Sequence, residues 1–115
     1  AVNGEVVLHM EKVKKKAAVK VKETWVKKKV VDYLKSLGVY YFFPVASGYM
    51  KSGVPDIICC VKGKFVAIEC KAGKNKTTAI QDKNINSIRL NEGIAMVINE
   101  DNLDFMKMVI HEIIE

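Results

Sequence analysis

The sequence predicts an α/β fold in which a mixed sheet carries helices on its faces. Three observations predict it: two stretches with apolar residues at helical spacing, several short β-branched runs bounded by Gly or Pro, and a helical stretch separating the last two runs. With 115 residues, half of them hydrophobic, and a mean hydropathy of +0.05, the chain has material for one domain around one core.

Residues 1–21 read as a basic N-terminal arm or an extension of the next helix, and residues 22–115 as the domain. Within the arm, Lys12, Lys14, Lys15 and Lys16 form a solvated basic run, and Met10 is a candidate original start. Val26, Val30, Leu34 and Leu37 form one stripe of a helix over 22–37, stopped by Gly38. The β-branched and aromatic run 39–45 predicts a strand with Pro44 near its end, followed by a Gly- and Ser-containing loop over 46–54. Strands are expected at 56–61 and 64–71, joined at Lys62-Gly63, and a polar basic loop at 73–78. Thr78 caps a helix to about Glu92 with Gly93 as its stop; a buried strand at 94–98 and a helix over 102–114 complete the order α-β-β-β-α-β-α.

No apolar run approaches the ~20 residues of a membrane span, so no membrane partner is expected. Three cysteines, Cys59, Cys60 and Cys70, sit in apolar stretches at no zinc spacing; they read as small core residues of an intracellular protein. The net charge of +6 is unevenly spread: +4 over residues 1–22, +6 over 23–83 and −4 over 84–115. A basic field over the first two segments suits a polyanion such as nucleic acid.

The predicted hairpin carries the chemistry. A two-residue turn at Lys62-Gly63 sets Val61 against Lys64 and therefore Asp56 opposite Glu69, with Lys71 on the same face as Glu69. Opposed side chains have Cβ atoms about 5 Å apart. Two ionised carboxylates at that distance repel by roughly 3 kcal/mol at an effective dielectric of about 20. A divalent cation supplies the compensation, and hard Mg²⁺ favours oxygen ligands. The two hairpin faces are otherwise apolar, which predicts cover on both sides and a polar cleft at one end.

Pro55-Asp56 followed by Glu69-Cys70-Lys71 resembles the PD-(D/E)XK nuclease superfamily. Ser52-Gly53-Val54-Pro55-Asp56, Ile68-Glu69-Cys70-Lys71, the downstream Gln81 and the helix-opening Glu23 more closely resemble the VRR-NUC family, in its small stand-alone phage forms. The resemblance implies a restriction-endonuclease-like fold with core order αβββαβ plus a C-terminal helix. It implies Mg²⁺ (with Mn²⁺ as a substitute) held by Asp56, Glu69 and the backbone carbonyl of Cys70, with Glu23 near the metal through water. Lys71 would position or activate the attacking water. Gln81 has two competing assignments, since Thr78-Ala79-Ile80-Gln81 is also a capping box in which the glutamine reaches back to the Thr78 amide.

Lys51, Lys74 and Lys76 are candidates for holding flanking DNA phosphates, and Tyr49 for stacking on a base. The resemblance implies Mg²⁺-dependent hydrolysis of phosphodiester bonds in branched, Holliday-junction-type DNA by a homodimer. It places the enzyme in the cytoplasm of a cell or of an infected host. The alternatives are a nuclease for flaps, nicks or single strands, and a non-catalytic DNA-binding module on the same fold.

Overall fold

The computed structural model describes residues 20–45 and 52–115. Met10, Tyr49 and Lys51 lie outside the described residues. The elements run α1 (Glu23–Ser36), β1 (Tyr40–Phe42), β2 (Ile57–Val61), β3 (Lys64–Cys70), α2 (Ala79–Leu90), β4 (Ile94–Ile98) and α3 (Leu103–Ile114), the order the sequence predicts. The sheet order is β1-β2-β3-β4. β1 and β3 are each antiparallel to β2, and β4 is parallel to β3, reached through α2.

The hairpin has the predicted register. Val61 pairs with Lys64 and Ile57 with Ile68, while Lys62 and Gly63 take φ of 49° and 83°, the two positive values a type I′ turn requires. Because strand side chains alternate, the sheet has two distinct faces. On one, Val26, Val30 and Leu34 of α1 and Met106 and Ile110 of α3 pack against Ile57, Cys59, Val61, Val66, Ile68, Cys70, Met96 and Ile98. Burying each of these larger aliphatic side chains stabilises the fold by about 1.5–3 kcal/mol, so this face is the main core. On the other, Ile85 of α2 covers Ile58, Ala67 and Ala95.

Four expectations need correction. β1 stops at Phe42 rather than Val45: continuing its register would set Pro44 opposite Asp56 and Val45 opposite Pro55, and neither proline has an N–H for the ladder. The hairpin is covered on both sides only near its open end, because Phe65 and Cys60 beside the turn are exposed on the α2 face. Cys60 is therefore not a core residue, whereas Cys59 and Cys70 are buried and their thiols are pushed up to about 12 by that burial. Finally, α2 ends on Asn91 with Glu92, not Gly93, in the left-handed region at φ 66°. Gly93 serves packing instead: a Cβ there would meet the Ile88 side chain at 2.7 Å.

Candidate active site

The site lies where β2 begins and β3 ends. Asp56 immediately precedes β2, and its Oδ2 accepts a hydrogen bond from the Cys70 N–H at 2.8 Å. The contact fixes Asp56 across from the end of β3, as the hairpin register requires. Glu69 is next to last in β3, only 3% exposed, and the one buried charged residue among those described. Lys71 Nζ stands 3.6 Å from Glu69 Oε2, with its side chain 11% exposed. The Lys71 N–H continues the parallel ladder onto the Ile98 carbonyl at 2.9 Å, so β4 anchors the chain that carries this lysine.

Burial is the largest influence on Glu69 and raises its carboxyl pKa from 4.5 to about 7. The Asp56 charge pushes it the same way, Lys71 opposes, and Glu23 adds to the push. Glu69 Oε1 is buried with no hydrogen-bond partner. An acceptor left unmade in this way costs about 1–3 kcal/mol, more where it is charged. A cation beside Asp56 and Glu69 would remove that penalty, and the donors at hand are all oxygens, as a hard divalent ion prefers. The residues thus fit such an ion. The two carboxylates stand as a pair, since no group of three or more His, Cys, Asp or Glu side chains is placed to hold a metal among the described residues. Glu23, exposed at the start of α1, stands outside this pair; its charge reaches Glu69 and Cys70 through space.

Gln81 makes the contacts of both assignments. Its Oε1 accepts from the Thr78 N–H at 2.9 Å while its Nε2 donates to Glu69 Oε2 at 3.3 Å. The Thr78 hydroxyl in turn accepts from the Gln81 N–H at 3.3 Å, completing the capping box. The two contacts use opposite ends of one amide, so the cap and the hydrogen bond to Glu69 are made at once.

Gly53 explains how α2 comes so close. At φ 76°, its α-carbon faces the start of α2, and a Cβ there would lie 2.8 Å from the Ile80 carbonyl carbon and oxygen. The absence of a side chain lets the segment before Asp56 rest on the backbone that presents Gln81. Asn84 secures the same junction by donating to the Ser52 carbonyl at 3.0 Å. Beyond β3, Gly73 N–H donates to the Glu100 carboxylate at 2.6 Å, tying the loop of exposed Lys74 and Lys76 to the turn after β4.

One residue escaped the sequence reading. Lys27 Nζ lies 3.8 Å from Asp56 Oδ1, on the oxygen that Cys70 leaves free. The available signal was its place four residues after Glu23, on the same side of α1.

The model of the family described as archaeal Holliday junction resolvase (Hjc) matches residues 29–91, over half of the chain. The chain belongs to the Hjc family. The match spans Asp56, Glu69, Lys71 and Gln81, and begins after Glu23 and Lys27. Hjc resolvases belong to the PD-(D/E)XK superfamily, so membership supports the superfamily and the restriction-endonuclease-like fold, but not the VRR-NUC domain in particular. It implies a DNA-binding nuclease of a generally divalent-metal-dependent type. Searches of curated proteins and of solved structures found no match. No described helix is long and apolar enough to cross a membrane.

Proposed function

We propose that this Hjc-family chain is a Mg²⁺-dependent endodeoxyribonuclease that cuts branched DNA of the Holliday-junction type as a homodimer. The observation that carries the metal-dependent chemistry is the unpartnered, buried Oε1 of Glu69 beside Asp56. Phosphate binding alone gains nothing from two carboxylates, which disfavours a non-catalytic module. Asp56, Glu69 and the Cys70 carbonyl would hold Mg²⁺ or Mn²⁺, with Glu23 contributing through water. When bound, the ion polarises the scissile phosphate and makes water a stronger acid.

The remaining work falls to the chain's own side chains. Lys71 orients the attacking water and offsets charge on the phosphate. Gln81 fixes the Glu69 carboxylate from the start of α2. Lys74 and Lys76, together with Lys51, hold flanking phosphates and set the register of DNA without reading its sequence. Junction specificity and the dimer rest on the family; two symmetric cuts in one junction need two such sites, and one chain has one Asp56–Glu69 pair. The stretch from Ser52 to Asp56, together with Gln81, carries the finer reading of a stand-alone VRR-NUC-like enzyme of phage type, acting inside the cell.

Purified protein with Mg²⁺ or Mn²⁺, offered matched junction, flap, nicked, duplex and single-stranded DNA, tests the reading. Paired incisions in the junction, lost in Asp56→Asn and Glu69→Gln, are expected. Preferential cutting of flaps, nicks or single strands would replace the junction substrate, and binding without any cutting would leave a DNA-binding module.

A further inference from the structure

We propose that Lys27 is a second cation of the site, which holds Asp56 while the divalent ion is absent and turns to a DNA phosphate once the ion has taken Asp56. The inference rests on the metal-dependent reading above and adds a residue that lies before the matched segment.

Asp56 is held from two sides. Oδ2 is occupied by the Cys70 N–H at 2.8 Å, a backbone contact fixed by the hairpin. Oδ1 faces the Lys27 ammonium at 3.8 Å, with side chains 41% and 29% exposed for Lys27 and Asp56. This separation and exposure describe a loose ion pair in contact with solvent, which is easily exchanged. From the same position its ammonium also lies 6.0 Å from the centroid of the Phe43 ring, which lines the solvent side of the pair. Phe43 is itself braced edge-on by Tyr41 at 5.8 Å. The lysine therefore stands at a rim of the site with solvent on one side and a carboxylate on the other.

The charges make the exchange favourable. With all groups ionised, Glu23, Asp56 and Glu69 bring three negative charges and Lys27 and Lys71 two positive ones, leaving −1. A divalent ion reverses the sign to +1. The Lys27 ammonium then meets repulsion where it had attraction, while a DNA phosphate approaching the ion restores neutrality. A flexible four-carbon stem lets the ammonium follow the new anion without movement of α1. Lys71 lacks that freedom, since it is nearly buried against Glu69.

Two measurements that need no cleavage test the proposal, using Ca²⁺ as the probe ion and the full chain. Calorimetry should show Lys27→Gln binding Ca²⁺ about two- to five-fold more tightly than the unmodified protein, the range expected for losing a competing, partly exposed ion pair. In saturating Ca²⁺, the same variant should bind a junction with a salt dependence shallower by about one counterion. Lys27→Arg should restore both values. Lys28→Gln, which removes the neighbouring charge that pairs with Asp32 instead, should change neither. Ca²⁺ affinity unchanged or weakened in Lys27→Gln, or an unchanged salt slope, overturns the role of Lys27. Asp56→Asn measured alongside separates the two levels: if it binds Ca²⁺ as the unmodified protein does, the metal reading itself fails and the Lys27 proposal falls with it.

Discussion

Gln81 Nε2 donates to Glu69 Oε2 at 3.3 Å while the other end of the same amide closes the cap of α2 on Thr78. The first turn of α2 and the buried carboxylate are thereby one hydrogen-bonded unit. Gln81→Glu should separate the two jobs. The glutamate still serves a capping box, so thermal stability should fall little, but it sets a third carboxylate against Glu69 and removes its donor. Cleavage at neutral pH should drop by at least about tenfold, the size of effect a lost charge-assisted hydrogen bond gives. Thr78→Ala should do the reverse, costing about 1 kcal/mol in stability with a smaller loss of rate. Denaturation midpoints beside single-turnover rates check both.

Gly53→Ala should be more harmful than Gly63→Ala, although both glycines have positive φ. An alanine in the left-handed region costs roughly 1–2 kcal/mol at either position. Around Gly63 nothing lies within 4 Å, so that is the whole penalty. At Gly53 the new methyl would stand 2.8 Å from Ile80 backbone atoms, and α2 must retreat with Gln81. The expected outcome is a lower melting temperature in both variants, with cleavage impaired beyond the stability loss in Gly53→Ala alone.

The legible parts of the molecule are those fixed by local rules. A positive-φ turn at Lys62-Gly63 sets the hairpin register, and the register brings Asp56 across from Glu69; both follow from counting residues. The α2 cap was equally local. What the sequence concealed depends on contacts between distant elements. Lys27 and Asp56 are 29 positions apart, and only the packing of α1 on the sheet brings them together. The close approach of Gly53 to Ile80 is hidden for the same reason, since a glycine two residues before Pro55 reads equally well as part of a turn. The length of β1 was overestimated because β-propensity speaks for one strand, whereas pairing also depends on the prolines of its neighbour.

Removing charge from the loop after β3 should weaken DNA binding without changing which DNA is chosen. Lys74 and Lys76 are exposed, and the loop carrying them is tied at Gly73 to Glu100. Lys74→Ala with Lys76→Ala should reduce affinity to a similar degree for junction and duplex and lower the salt slope by about two counterions. Titrations of the two substrates across a range of salt concentrations would show it. A loss confined to the junction would instead make these lysines part of its structural recognition.

The raised pKa of Glu69 gives the metal-free protein an unusual dependence on pH. Its folded value of about 7 lies above the ordinary 4.5, so the native state binds the extra proton between those values. Stability from this group is therefore fully present below about pH 4.5, falls as pH rises, and is lost above about 7. Ionising the buried carboxyl across that window costs on the order of 3 kcal/mol. In a chelating buffer the melting temperature should decline from pH 4.5 to 7 through this contribution, and Glu69→Gln should flatten the decline. A divalent ion acts in the opposite direction, because it binds the ionised carboxylate and expels the proton. Mg²⁺ should accordingly raise the melting temperature more at pH 8 than at pH 5.5, and calorimetry near pH 6 in buffers of different ionisation enthalpy should record proton release. A Mg²⁺ effect independent of pH would mean that the ion is held elsewhere than on Glu69.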